Sequence, residues 1–73
     1  MDLLAIKAKL ARGELPTTDW DHPPRLTLGG RGDCIACDQP TTVADPAVEC
    51  LHGGQRVMLH PDCYVMWEEA RRG

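Results

Sequence analysis

Two paired soft donors constrain this chain more than any other feature: Cys34-Ile35-Ala36-Cys37 and, after 22 intervening residues, His60-Pro61-Asp62-Cys63. A tetrahedral zinc ion takes four thiolate or imidazole ligands, and donors spaced by two residues can face one ion from a tight turn or a helix's first turn. Each half alone is ambiguous, because a solitary Cys-x-x-Cys also occurs in redox motifs. Across a gap that holds a hairpin, the halves read as one closed site. The expectation is a single structural Zn2+ per chain, held by Cys34, Cys37, His60 and Cys63.

Size makes such a staple necessary. A chain of 73 residues has room for one domain and buries too small a fraction of its surface to rely on apolar packing alone. With no Phe, one Tyr and two Trp, the core rests on a few Leu, Val and Met positions, and a structural metal supplies the shortfall. Two disulfides would be the alternative in an oxidising compartment. Against that, Met1-Asp2-Leu3-Leu4 lacks the basic leader of a secretory signal, and Lys7 and Lys9 interrupt the only apolar stretch near the start. No segment approaches the ~18 apolar residues of a membrane span. The expected location is therefore the cytoplasm, with reduced thiols and no membrane association.

The formal net charge is −3 with neutral thiols, and three thiolates around a dication add a further −1. Generic attraction to nucleic acid or an anionic membrane is disfavoured. Lys7, Lys9, Arg12, Arg71 and Arg72 read as members of solvated helix faces.

Along the chain, residues 2–12 predict a helix: Asp2 suits the N-cap, Leu3, Ile6 and Leu10 recur at helical spacing, and Gly13 stands where a C-terminal cap belongs. Its apolar stripe is narrow, so it either docks on its own domain or awaits a partner. From Leu15 to Gly32, the prolines 16, 23 and 24 and the glycines 29, 30 and 32 predict an ordered, irregular connector, with Trp20 covering the small core. Arg31-Gly32-Asp33 spells an integrin-recognition tripeptide by coincidence, and Gly32 serves the approach to the cysteine turn.

Next, 47–51 and 56–59 read as a hairpin around Gly53-Gly54, a pair suited to a two-residue turn with positive φ. That turn sets Cys50 opposite Val57 and Val48 opposite Leu59, all four on one face, with Glu49, Leu51, Arg56 and Met58 on the other. Cys50 then packs as a small hydrophobe, the alternative being that this spare thiol replaces His60 as ligand. His22 and His52 have no partner spacing. Pro61 opens a last helix running to about Arg71, with His60 near its N-cap and Cys63, Met66, Trp67 and Ala70 on the inward stripe.

A cysteine knuckle, a β-hairpin and a C-terminal helix bearing the last two ligands make this sequence resemble a treble-clef (LIM-like) zinc finger over residues 33–72. The resemblance implies a small α+β metal-stabilised domain with Cys34, Cys37, His60 and Cys63 in the ligand places. The run from the cysteine pair to His60, Cys63, Tyr64 and Trp67 is also similar to small bacterial zinc-binding proteins that carry an N-terminal helix and a Gly- and Pro-rich connector. Leu15-Pro16 and Gly30 to Gly32 extend that match, which brings no established activity. The implied organisation is an N-terminal helix over 1–13, a connector over 14–32 and the zinc-binding domain over 33–73.

Such scaffolds bind proteins, bind nucleic acids or, embellished, catalyse, so the residues must choose. Four protein ligands leave no open position for an activated water, which favours a regulatory or protein-interaction module that is not an enzyme. A nucleic-acid-binding finger is the first alternative, opposed by 8 basic against 11 acidic residues. Enzymes come last: a zinc hydrolase with Glu49 or Glu69 as base, or a thiol-redox pair at Cys34 and Cys37.

Overall fold

The computed structural model describes residues 3–72. Along the chain run α1 (Leu3–Ala11), β1 (Arg25–Leu28), β2 (Pro46–His52), β3 (Gln55–Leu59) and α2 (Pro61–Arg72). The strands form one antiparallel sheet in the order β1-β2-β3. Among the described residues no helix is long and apolar enough to cross a membrane.

The first helix ends as its glycine dictates. Gly13 takes a positive φ of 77°, its N–H bonds the carbonyl of Leu10, and the N–H of Glu14 reaches back to the carbonyl of Lys9 at 2.9 Å. This is the Schellman pattern, which satisfies carbonyls that the helix end leaves unpaired. Asp2, the expected N-cap, lies outside the described residues. Ile6 is fully buried in the core, with Leu3 and Leu10 packed against it, and the helix lies against α2.

The hairpin register follows from its turn. Gly53 and Gly54 both have positive φ, 60° and 79°, as the tight primed turn requires. His52 pairs with Gln55, Cys50 with Val57 and Val48 with Leu59. Val48, Cys50 and Leu59 are buried and Val57 packs against them. Met58, on the opposite face, is buried too, because the cysteine turn covers it: Cys34 bridges to Met58, and the N–H of Ile35 bonds the Met58 carbonyl at 3.0 Å.

The connector differs from expectation. Residues 25–28 form a strand, paired to β2 with Arg25 opposite Glu49 and Leu28 opposite Pro46. Four residues with both leucines exposed carry no burial pattern, so the pairing comes from β2 and not from the segment's own alternation. Pro23 and Pro24 precede the strand at the sheet edge, where a missing N–H costs no ladder bond. Trp20 does cover the core, with its ring 4.8 Å from that of Trp67. Leu15 is also buried, although it sits beside the helix-terminating glycine.

Candidate metal centre

The Cys34–Cys37 turn is closed by its own backbone. Cys34 N–H bonds the Gln39 carbonyl and Asp38 N–H bonds the Cys34 carbonyl, both at 2.8 Å. Asp38 sits in the left-handed region with φ 63°, a conformation that Asp and Asn tolerate better than most residues. The approach to the turn is pinned through Thr41, whose hydroxyl donates to the Gly32 carbonyl and accepts from the Gly30 N–H.

The other half of the site sits at the start of α2. Pro61 opens the helix, and the N–H of Tyr64 closes its first turn on the carbonyl of His60. His60 thus stands at the N-cap with Cys63 three residues on, both turned toward the cysteine turn. The backbone N–H of His60 donates to Cys34 Sγ at 3.4 Å, so a helix N-terminus faces sulfur.

The donor atoms of Cys34, Cys37, His60 and Cys63 all lie within 4.8 Å of one another. His60 Nδ1 is 3.3 Å from Cys37 Sγ and 3.9 Å from Cys63 Sγ. A tetrahedral zinc with ordinary Zn–S and Zn–N bonds needs donor separations of roughly 3.5–3.8 Å, so shifts of about 1 Å or less in either direction would close the shell. Three sulfurs and one imidazole nitrogen make a donor set that zinc commonly takes. This group is positioned to bind a metal ion.

Electrostatics agree with that reading. Burial, then the adjoining sulfurs of Cys34 and Cys37, pushes the Cys63 thiol up to about 12. Burial also acts to raise Cys34, but backbone N–H groups of His60, Cys37 and Ala36 outweigh it and hold that thiol below its ordinary value. Three thiolates this close need a cation between them, and a dication inverts the repulsion that keeps Cys63 protonated.

Cys50 stands apart from this group, buried in the sheet, where burial and the Glu49 carboxylate push its thiol up to about 12. His22 and His52 are exposed, and His52 meets the Trp20 ring edge-on. Glu49 pairs with Arg56 at 3.3 Å, and Glu69 is exposed on α2.

One residue of the site's surroundings escaped the sequence reading. Lys9, expected on a solvated face, is only 8% exposed. Its Nζ donates to the carbonyl of Ile35 at 2.9 Å and to Asp38 Oδ2 at 2.7 Å, so it ends inside the cysteine turn. The signal was its place one turn after Ile6, on the helix's buried stripe. A lysine there can bury its stem and still deliver the charged head to polar partners.

Compared with known proteins, the chain matches no family model, no curated protein and no solved structure.

Proposed function

We propose that this chain is a zinc-stapled interaction module of the treble-clef type. The observation that carries the reading is the convergence of four protein donors within 4.8 Å. Four protein ligands complete a structural zinc shell and leave no coordination place for substrate or activated water. The order of parts also supports it: a cysteine turn, the β2–β3 hairpin, then a helix whose first turn bears His60 and Cys63. Zinc bound by such sites is worth about 10–16 kcal/mol at neutral pH, ample to stabilise a domain with so small a core. When bound, the ion supplies cohesion and the chain supplies a shaped surface for another protein in a reducing compartment.

Phosphate binding is the weaker reading because five of the eight basic residues are engaged elsewhere. Lys9, Arg12, Arg56, Arg71 and Arg72 each face a carboxylate of this chain. Counterion-driven binding needs positive charge segregated on one face.

Elemental analysis of reduced, purified protein tests the staple, with one zinc per chain expected and sub-stoichiometric metal refuting it. Affinity capture with loaded and metal-free chain then tests the module, the expected result being a protein retained by the loaded form alone. Measurable binding to DNA or RNA that declines with salt would replace this reading with the nucleic-acid one.

A further inference from the structure

We propose that Lys9 is a positioning residue of the metal centre, and that through it α1 docks as part of that centre. The inference rests on the zinc reading above and adds that metal occupancy and helix docking are coupled.

The geometry is a clamp on the backbone of Ile35, whose two flanking peptide groups lie between the two cysteines of the turn. On one side the Ile35 N–H is held by the Met58 carbonyl of β3 at 3.0 Å. On the other, its carbonyl is held by the Lys9 ammonium at 2.9 Å. The same ammonium grips Asp38, next to Cys37 and in the left-handed region, at 2.7 Å. Lys9 therefore touches the turn at a residue between its ligands and at a residue just after them. It also lines one cavity with Cys37, His60 and Cys63.

Placement argues that this is more than a surface ion pair. Asp38 is 73% exposed, so the pair alone would be screened, but the lysine is buried and spends a second bond on a backbone carbonyl. A dication with three thiolates and a neutral imidazole carries a formal charge of −1. A buried ammonium on the adjoining turn has the sign that offsets it. Groups bonded directly to metal ligands typically change affinity 10–100-fold when removed, and Lys9 acts one residue further out, through the backbone that carries Cys34 and Cys37. Linkage is reciprocal, so if docked α1 favours metal, bound metal favours docked α1 by the same factor. Loss of the ion would then weaken α1 docking by that factor and make openings that uncover Ile6, fully buried in the core, correspondingly more frequent.

The test uses the whole chain in reducing buffer, with zinc affinity from chelator competition and α1 docking from amide hydrogen exchange. Lys9→Met, which keeps the apolar stem, should weaken zinc by up to about 10-fold, the low end for direct ligand partners, and speed α1 exchange even at saturating zinc. Lys9→Arg should recover most of both losses, and Lys7→Met, on the exposed face, should lose neither. Asp38→Asn, tolerated at that backbone conformation, should give a smaller loss because the Ile35 contact remains. Equal zinc affinity in wild type and Lys9→Met overturns the inference and leaves the zinc staple standing. An equal loss in Lys7→Met also overturns it, since helix stability alone would then explain the effect, and so does no recovery in Lys9→Arg, since the positive charge would then not be what holds the turn. Failure of the wild-type chain to bind zinc overturns the staple itself.

Discussion

Trp67 donates its indole N–H to the carbonyl of Pro16 at 2.8 Å, joining α2 to a connector residue 51 positions earlier. The bond has company. Trp67 is fully buried, the Trp20 ring packs on it 4.8 Å away at a tilt of 35°, and the guanidinium of Arg71 lies 4.5 Å from its ring centre while bonding Asp19 of the connector. Aromatic stacking and a cation over the ring each add to simple area burial. The connector is thus held against α2 at Pro16, Asp19 and Trp20, although it contains no regular structure before β1.

Trp67→Phe removes that hydrogen bond and leaves the Pro16 carbonyl to find another partner. A loss of about 1–3 kcal/mol is expected. Trp20→Phe should cost less, because the Trp20 N–H is buried without a hydrogen-bond partner among the described residues, and deleting it relieves a penalty. Urea midpoints of the two zinc-loaded variants give the comparison. A costlier Trp20 change would refute this ranking.

Substitution within the donor group should be severe and outside it mild. Cys34→Ser, Cys37→Ser, His60→Ala and Cys63→Ser should each abolish tight zinc binding, whereas Cys50→Ala should retain one ion per chain. Chelation of the wild type should collapse amide dispersion over residues 34–72, since folding and binding are one equilibrium at such sites. Falling pH should weaken zinc, because protons compete for the thiolates. A dispersed amide spectrum under strong chelator would contradict the coupling.

Cys50 has an alkaline signature of its own. Its folded thiol is pushed up to about 12 by burial and Glu49, against 9.0 ordinarily. The raised value means that the folded state holds this proton more firmly than the unfolded chain. The contribution is complete below pH ~9 and fades as pH rises toward ~12, at up to about 1.4 kcal/mol per pH unit. Cys50→Ala removes that slope while also leaving a small cavity. Parallel alkaline melts of wild type and variant should therefore converge as pH rises, and curves of constant separation would refute the assignment.

Gly29 is required for space. A Cβ there would lie 2.4 Å from the backbone oxygen of Thr42, against the loop that returns toward β2. Rigid backbone cannot yield as a side-chain tip can, so Gly29→Ala should cost about 1–3 kcal/mol. By contrast, at Gly53 a Cβ meets nothing within 4 Å, and only its positive φ opposes Ala, by about 1–2 kcal/mol. Thermal melts of the two alanine variants, each also made as a serine, check the distinction. The Gly29 penalty should grow from Ala to Ser and the Gly53 penalty should not.

The residues of the candidate site were legible because metal chemistry imposes its own spacing. Cys34 with Cys37, and His60 with Cys63, announce themselves by number alone, and a Gly-Gly turn settles which strand residues oppose each other. For the same reason Cys50 could be assigned to the sheet before any coordinates. β1 was not legible: two exposed leucines in four residues have no face to bury, and the strand exists because β2 offers it an edge.

Local rules carried by the chain itself thus determined the helix stops, the hairpin register and the pairing of donors, each a matter of short-range geometry. Tertiary structure alone decided where Lys9 ends. A lysine on a helix can reach solvent or fold inward, and only the arrival of the Ile35 carbonyl and the Asp38 carboxylate, 26 and 29 residues away, makes the inward path the favourable one. The place of Lys9 on the stripe marks the stem for burial, but the partners that receive the charged head lie too far off in sequence to be read from the helix.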